Sequence, residues 1–365
     1  MKVLHVNAGL EKGGGLTHIV NLLAEAKQAG QDFELLVFAE GPVAQAAREQ
    51  GIKVAVLGAS SRYDLFLPGR LKKFINEGGY DLVHTHGARA NLFMSLVHRK
   101  LKAKWAVTVH SDPMIDFEGR GLAGRIFTKL NLRAIKQADC VFAVTQRFAK
   151  MLAERDGVDP GKLHVIYNGI NFHTEAQIPA KVPHHHFNLI NVGRCEKVKG
   201  QDLLIRAVKQ VDDQRLQLHI AGDGSQLDQL RQLVADLDMG GQVFFHGFMS
   251  QSDLQALYAR MDLAVLSSYS ESFPLVLLEA SDNLLPLLAT DVGDMHEMIP
   301  DKQHGLIAEV GSVNSLAEGL KQYLQKSPAE LEEMALSEKA YLSGRFSLQK
   351  QLASIVAVYQ KLMKH

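Results

Sequence analysis

Short uninterrupted apolar runs alternate along this chain with longer segments in which apolar residues recur every three or four positions. In the first half the short runs are KVLHVN, FELLVFA, KVAVL, DLVHTHG, KWAVTVH and CVFAVT. Such runs are typical of strands buried on both faces of a parallel sheet, and the segments between them have helical spacing. The pattern therefore predicts an α/β unit in which helices connect the strands.

A second series of the same kind follows an aperiodic stretch, HTEAQIPAKVPHHH, which is typical of a linker. The runs of this second series are FNLINVGR, LQLHIAGDG, QVFFHGF, DLAVLSS, PLLATDVG and HGLIAEV, and the tail LQKQLASIVAVYQKLMKH has the spacing of one amphipathic helix. We expect a first domain over residues 1–175 and a second over 176–345, with a terminal helix over about 346–365 that completes the first.

Composition narrows the class of protein. The 365 residues exceed what one hydrophobic core usually supports. Lys plus Arg is 40 and Asp plus Glu is 40, a balance that argues against general nucleic-acid binding. The two cysteines, Cys140 and Cys195, indicate no disulfide framework and suit a reducing compartment. With neither a signal-like start nor a long apolar span, we expect a cytoplasmic protein.

The loops after the strands hold the candidate chemistry, because ligands of open α/β sheets bind outside the carboxyl ends of the strands. Gly13, Gly14 and Gly15 follow the first strand and precede a helix N-terminus, where free N–H groups can bind an anion. Glycine-rich turns are common at this place, and the spacing is not that of a dinucleotide-binding motif. Taken alone, this loop does not define a site.

Two cations stand at the start of a helix in VGRCEKVKGQ, where the macrodipole favours acids. A diphosphate bound between Arg194 and Lys199 would resolve that conflict, whereas solvated loop charges are the alternative.

The stretch ESFPLVLLEA places Pro274 in the first turn of a helix and Glu271 just before it, with Glu279 further along. The free N–H groups of that turn predict an anion site, and carboxylates accept hydrogen bonds from sugar and ribose hydroxyls. For Glu271 a simple interaction with the helix dipole is the alternative.

Histidines mark the ends of two strands in the first half. His110, in VTVHSD, is a candidate general acid or hydrogen-bonding group, although a structural role is an equal alternative. His84 and His86 lie on one face of a strand, so a metal site with His110 is conceivable. No carboxylate or cysteine spacing accompanies them, and we therefore expect no metal.

Seven of these motifs, taken in order, resemble the family-4 glycosyltransferases, which are retaining enzymes of the GT-B fold. The resemblance runs nearly end to end and is most specific in ESFPLVLLEA, the family's Glu, seven residues, Glu element. It continues in VGRCEKVKGQ, VTVHSD, VIYNGIN, IAGDGSQLDQL, VFFHGF and HGLIAEVGSVNSLAEGL. The resemblance implies two Rossmann-like domains facing a central cleft, with the C-terminal helix crossing back to the first domain.

The resemblance also implies how a nucleotide-sugar donor is held. Arg194 and Lys199 would bind the donor diphosphate, and backbone N–H groups would add to that site at Gly14, Gly15, Leu275 and Val276.

In the same resemblance Glu279 would bind the ribose and Glu271 the donor sugar, with His110 near the reacting carbon. Gly247 and Phe248 would offer backbone groups to the base. The catalytic set implied is His110, Glu271, Arg194 and Lys199.

This chain departs from the family at Leu284 and Asp294, where glycine is usual. Neither position carries one of the roles above, so the departures concern the shape of the donor pocket.

These expectations describe a retaining hexosyltransferase that moves a sugar, most simply from a UDP-sugar, to a glycan or lipid-linked acceptor in cell-envelope or exopolysaccharide synthesis. Neither a cofactor nor a metal is expected, because the protein itself supplies positive charge. Two alternatives stay open. A nucleotide-sugar 2-epimerase would turn over without acceptor, and a non-catalytic nucleotide-sugar binder would not turn over at all.

Residues 89–136 contain ten Lys or Arg and three acids, although the whole chain sums to zero. Within them LAGRIFTKLNLRAIKQA predicts a helix with a basic stripe beside an apolar one. One interpretation is a surface helix with its apolar side on the core. The other is a peripheral contact with anionic lipid on the inner face of the cell membrane.

Overall fold

The structure, a computed structural model, describes residues 1–11, 14–61, 64–114, 117, 119 and 121–364. The chain forms two compact α/β units. The first unit comprises residues 1–169 with 348–365, and the second comprises 170–347, whereas the sequence analysis places the division after residue 175. Among the described residues, no helix is both long enough and apolar enough to span a bilayer.

The first unit is built on a parallel sheet whose described strands run in the order β3-β2-β1-β4-β5-β6-β7. The strands are β1 Lys2–Asn7, β2 Asp32–Val37, β3 Val54–Val56, β4 Leu82–His86, β5 Lys104–Val109, β6 Cys140–Ala143 and β7 Leu163–Val165. The helices between them are α1 Gly14–Gln28, α2 Pro42–Glu49, α3 Leu67–Gly78, α4 Ala88–Ser95, α5 Gly121–Gln137 and α6 Gln146–Glu154.

The second unit repeats this plan with the parallel strand order β10-β9-β8-β11-β12-β13. The strands are β8 Phe187–Val192, β9 Leu216–Ala221, β10 Val243–Gly247, β11 Leu263–Leu266, β12 Leu287–Thr290 and β13 Leu306–Ala308. The helices are α7 Gln201–Val211, α8 Leu227–Asp236, α9 Gln251–Tyr258, α10 Leu275–Asp282, α11 Met295–Met298, α12 Val313–Leu324 and α13 Pro328–Phe346.

Continuous burial explains why the strands read as unbroken apolar runs. Every residue of β1 from Val3 to Asn7 is buried, and so are all residues of β6 and β11. Helices cover both faces of such a sheet, which removes the alternation of polar and apolar residues seen in half-exposed strands. The predicted α/β class of each half is confirmed.

The last helix, α14 Leu348–Met363, belongs to the first unit. Its buried residues Leu352, Ile355 and Tyr359 pack in one core cluster with Val3 and Phe142. Each such buried side chain contributes roughly 1.5–3 kcal/mol relative to an exposed one. The expectation that the C-terminal helix returns to the first domain is confirmed.

The two positions at which the chain departs from the family's glycines differ in backbone conformation. Leu284, just beyond α10, has φ 56°, the left-handed region that costs a non-glycine residue about 1–2 kcal/mol. Asp294 has φ −101°, which any residue adopts. Glycine would relieve strain at the first position and is not required at the second.

Candidate active site

The strand orders define a switch point in each sheet, where the chain leaves one strand and continues on the far side. In the first unit this point lies between β1 and β4, and in the second between β8 and β11. Ligands of open α/β sheets bind in the crevice outside the carboxyl ends of such strands. The loops after β1, β4, β8 and β11 are therefore the places to examine.

Backbone contacts join the loops after β8 and β11. Lys197–Lys199 forms a short 3-10 turn that ends at Gly200, whose φ is 60°. A Cβ at Gly200 would lie 2.2 Å from the carbonyl oxygen of Ser267, so only glycine permits this approach. The Ser267 hydroxyl donates to the Lys199 carbonyl at 3.0 Å, and the Tyr269 N–H donates to the Val198 carbonyl at 2.8 Å.

This close approach brings together two of the residues that the sequence indicates. Lys199 Nζ lies 2.6 Å from Glu271 Oε1, and the Ser268 hydroxyl donates to the same oxygen at 2.6 Å. The side chains of Lys199 and Glu271 are 21% and 11% exposed. The pair is thus partly desolvated, and each group holds the other in position. Arg194, in the same loop, is exposed and makes no ion pair with a carboxylate among the described residues.

The helix that begins beside this pair is α10. Pro274 occupies its N-cap, one position before the first turn in which the sequence analysis places it. The correction does not alter the chemistry, since Pro274 lacks an N–H and the next residues, Leu275 and Val276, open the helix. The first N–H groups of a helix have no intrahelical acceptor, and they form an anion site.

Glu279 lies further along α10 and is half-buried. Burial, with a smaller contribution from Asp282, raises the pKa of the Glu279 carboxyl to about 7. The hydroxyl of Tyr258 is buried and has no hydrogen-bond partner within the part of the chain that the structure describes. Burial and, to a lesser extent, Glu279 raise the pKa of Tyr258 well above its usual value. A carboxyl whose pKa is raised this far by its surroundings is typical of a binding site.

Gly247 is the last residue of β10, two strands away from β8, and Phe248 follows it. The Gly222 N–H donates to the Gly247 carbonyl at 2.7 Å, and the Phe248 N–H donates to Asp223 Oδ2 at 3.1 Å. The Phe248 side chain is 84% exposed. Sequence reasoning missed Asp223, whose carboxylate accepts the hydrogen bond from the backbone N–H of Phe248 in this structure.

The candidates of the first unit lie at its own switch point. Gly14 and Gly15 begin α1 after β1, while Gly13 lies outside the described residues. His110 follows β5, and its Nε2 lies 3.3 Å from Nδ1 of His86, the last residue of β4. Burial lowers the pKa of both imidazoles well below the usual value.

Two further histidines, which sequence reasoning missed, adjoin this pair. His5 on β1 places Nδ1 2.9 Å from Nε2 of His86, and the His18 ring on α1 meets the His110 ring edge-on with centroids 4.6 Å apart. Burial lowers the pKa of His5 to about 3 and that of His18 to about 4. In KVLHVN and LTHIV these two histidines stand among apolar residues. The sequence pattern therefore does not distinguish them from core residues.

One interpretation of the sequence places the apolar stripe of helix α5 on the core. In the structure most of that stripe is exposed instead. Leu122 is 77% exposed and Ile126 is 58% exposed, whereas Thr128 and Asn131 are buried. The reason is a polar packing contact, since Asn91 Nδ2 on α4 donates to Asn131 Oδ1 at 3.1 Å. That interpretation is therefore wrong for most of the stripe.

A cavity of about 910 Å³ opens beside this exposed stripe, wholly within the first unit. Its lining combines apolar side chains, among them Leu65, Leu96 and Leu130, with the cations Arg99 and Arg133. Leu65 and Leu96 are exposed. Neither of these two arginines pairs with a carboxylate among the described residues. Exposed apolar side chains beside two such cations make this cavity a candidate interaction site.

Comparison with known proteins shows the family and the fold. The family described as "Glycosyl transferases group 1" matches residues 175–362, and "Glycosyltransferase Family 4" matches residues 12–173. The "D-inositol 3-phosphate glycosyltransferase" of Mycobacterium sp. (strain KMS) is 25% identical over 94% of this chain and 85% of its own.

Solved structures share the fold. HepE of Anabaena in complex with UDP superposes with a TM-score of 0.84 at 19% identity, covering 99% of this chain and 100% of its own. The apo lipopolysaccharide outer core galactosyltransferase WaaB superposes with a TM-score of 0.78 at 18% identity, covering 99% and 100%. These structures show the GT-B fold, and the two family models show that the protein is a glycosyltransferase. The chain belongs to the family-4 glycosyltransferases.

The buried carboxyl of Glu279 predicts a specific dependence of stability on pH. Its pKa is higher in the folded chain, about 7, than the ordinary 4.5, so its favourable contribution is complete below pH 4.5 and is lost as the pH rises through 7. Glu279→Gln removes this loss and should stabilise the protein by up to about 3 kcal/mol more at pH 8 than at pH 4.5. Calorimetric unfolding at both pH values measures the difference.

Glu318→Gln is the matched control, because Glu318 is an exposed carboxylate on α12 of the same unit. It should shift the stability equally at both pH values. Equal behaviour of the Glu279 and Glu318 variants would contradict the burial of a costly carboxylate at position 279.

Proposed function

We propose that this glycosyltransferase moves a sugar, with retention, from a UDP-sugar to a glycan or lipid-linked acceptor in cell-envelope or exopolysaccharide synthesis. HepE, of the same fold, has been crystallised with UDP and with UDP-glucose. WaaB, also of this fold, is described as a lipopolysaccharide outer core galactosyltransferase. These descriptions support the proposal, and the geometry of the second unit carries it.

The single observation that carries the proposal is the ion pair at the switch point of β8 and β11. Lys199 and Glu271 lie 2.6 Å apart, Arg194 is exposed in the same loop as Lys199, and α10 begins four residues after Glu271. A diphosphate brings two negative charges to this place and competes with Glu271 for Lys199. Glu271, released from its partner, can then accept hydrogen bonds from the donor sugar.

The rest of the donor would be held on both sides of the diphosphate. Glu279 would accept from the ribose hydroxyls, and backbone groups of Gly247 and Phe248 would face the base. In the first unit, backbone N–H groups of Gly14 and Gly15 would add to the diphosphate site, and His110 would contact the sugar near the reacting carbon. A donor with ribose, diphosphate and sugar in sequence uses all these groups.

The proposed chemistry is front-face displacement. The bond from the anomeric carbon to the diphosphate oxygen breaks, and its electron pair stays on that oxygen. The acceptor hydroxyl oxygen bonds to the same face of the carbon, and its proton passes to the departing diphosphate. Arg194, Lys199 and the α10 N-terminus stabilise the developing negative charge, so the reaction needs neither a cofactor nor a metal.

We propose that the acceptor is presented at an anionic membrane. The exposed residues Leu122 and Ile126 of α5 adjoin the cavity bordered by Arg99 and Arg133. Apolar side chains can enter the lipid boundary while basic residues contribute about 1 kcal/mol each near anionic headgroups. Of the basic stretch, Arg120 and the acids Asp116 and Glu118 lie outside the described residues. The enzyme would act at the inner face of the cell membrane.

Loss of either diphosphate cation should slow turnover. Arg194→Ala and Lys199→Ala should each lower the rate of UDP release from UDP-hexoses by about 10²-fold or more, because each removes a donor to developing charge. Lys197→Ala is the control, since Lys197 is an exposed cation of the same loop and is expected to leave the rate nearly unchanged.

Unfolding temperatures of the three variants separate catalytic loss from misfolding. The proposal fails if folded Arg194→Ala and Lys199→Ala proteins keep near-normal rates, or if Lys197→Ala is equally damaging.

Membrane contact should depend on lipid charge and salt. We expect the protein to sediment with vesicles of anionic lipid at low salt, less at high salt, and little with neutral lipid. Arg133→Ala should weaken the anionic binding about fivefold, the equivalent of about 1 kcal/mol. Lys321→Ala makes the same change of net charge on an exposed residue of α12 and should have no comparable effect. Binding that ignores both lipid charge and Arg133 would contradict this surface.

A further inference from the structure

More histidines gather at the switch point of the first unit than sugar transfer requires. They form two overlapping groups, His5 with His84 and His86, and His18 with His86 and His110. In each group, one ring nitrogen of every member lies within 4.8 Å of the others. Neutral imidazole nitrogen is a preferred ligand of Zn²⁺. The two groups share His86, so the question is which of them is built to hold an ion.

In the first group, both ring nitrogens of His84 are already taken by hydrogen bonds. Nδ1 of His84 pairs with the hydroxyl of Tyr359, and Nε2 lies 2.7 Å from Oγ1 of Thr108. Neither nitrogen can bind a metal without breaking one of these buried contacts. His84 therefore serves the packing of α14 on the sheet.

In the second group, one pair of nitrogens has the spacing that a tetrahedral ion needs. Nδ1 of His86 lies 3.3 Å from Nε2 of His110. Two nitrogens bound to Zn²⁺ at about 2.0–2.1 Å lie about 3.3–3.4 Å apart. The third member, His18, has a buried Nε2 with no hydrogen-bond partner in the part of the chain that is described. His110 is only half-buried, which leaves a path from solvent.

Hydrogen bonds behind the group orient the rings as metal ligands require. Nδ1 of His18 lies 2.7 Å from Oδ1 of Asn168, which can only accept, and 3.2 Å from Nε2 of Gln351, which can only donate. The shorter contact favours the tautomer in which Nδ1 of His18 carries the proton and Nε2 carries a lone pair. Nε2 of His86 lies 2.9 Å from Nδ1 of His5, which leaves Nδ1 of His86 for the ion. Histidines that bind metals almost always pair their other ring nitrogen in this way.

We propose that His18, His86 and His110 form a transition-metal site that binds Zn²⁺ through three imidazole nitrogens and leaves its fourth position open. Hard cations such as Mg²⁺ and Ca²⁺ prefer oxygen ligands and are excluded by the donor set. Occupancy takes His110 away from the donor sugar, so Zn²⁺ acts as an inhibitor. This inhibition rests on the proposed function, whereas the binding itself does not.

The binding test uses the full chain without substrate. The linker histidines His184, His185 and His186 can bind metal adventitiously, so the background protein carries His184→Ser, His185→Ser and His186→Ser. Competition with a chromophoric chelator should show one Zn²⁺ per background chain and no binding of Mg²⁺. His18→Gln should lower the Zn²⁺ affinity at least tenfold, and Asn168→Ala should lower it about 10–100-fold, the usual effect of a lost supporting hydrogen bond.

Co²⁺ provides a second reading on the background protein, in case His18→Gln does not fold. A four-coordinate site should give strong visible absorption bands that excess Zn²⁺ abolishes. The site is refuted if the background protein binds no Zn²⁺ at a one-to-one ratio. It is equally refuted if folded His18→Gln and Asn168→Ala proteins bind as tightly as the background, which would mean adventitious binding only.

Inhibition is measured separately. Zn²⁺ should slow UDP release by the background protein, and a chelator should restore it, while His18→Gln should need at least tenfold more Zn²⁺ for the same fractional loss. Binding without any inhibition would leave the metal site standing and would contradict the role of His110 in the proposed function.

Discussion

The ion pair between Lys199 and Glu271 is the contact on which the function proposed for the second unit depends. It exists because two loops from neighbouring strands touch, at a point where Gly200 admits the carbonyl of Ser267 and no Cβ would fit. Both charges are partly removed from water, and such groups are stable only while each has a partner. In the resting chain each is the partner of the other. In the proposed function, a diphosphate would offer Lys199 a stronger partner and would leave Glu271 ready for a new one.

Two other residues of the same unit, Glu279 and Leu284, are held in states that lower the stability of the fold. Glu279 is held in a setting that raises its pKa to about 7, and Leu284, just past the end of the same helix, adopts a left-handed backbone. A fold selected for stability alone would place an amide or apolar group at the first position and glycine at the second. Costs of this kind concentrate at sites that bind or react. Helix α10 thus carries free backbone N–H groups at its start and a carboxyl with a raised pKa in its body.

Much of this arrangement follows from the sequence by simple rules. Continuous apolar runs predict buried parallel strands, and the charges at strand ends mark Arg194, Lys199 and Glu271 as candidates. The pairing of Lys199 with Glu271 could not be read from spacing, because 72 residues separate them. It depends on strand order, which places β11 beside β8. Once that order is known, their proximity follows from the geometry of a parallel sheet.

The remaining differences come from contacts that local pattern does not encode. Helix α5 buries Thr128 and Asn131 because an amide on α4 meets an amide on α5, so hydrophobicity assigns the wrong face. His5 and His18 stand in apolar stretches where a histidine reads as core, and only the sheet brings them beside His86 and His110. Residues that act through long-range contacts therefore escape a search by motif.

The competition between Glu271 and a diphosphate for Lys199 is tested most directly by calorimetric titration of UDP and uridine into the wild-type chain and Glu271→Gln. The account predicts that UDP binds far more tightly than uridine. It also predicts that Glu271→Gln binds UDP about two- to tenfold more tightly than wild type, because a partly exposed ion pair worth about 1 kcal/mol no longer has to be broken. Uridine should bind both proteins equally. Weaker UDP binding by Glu271→Gln, or equal affinities for UDP and uridine, would contradict it.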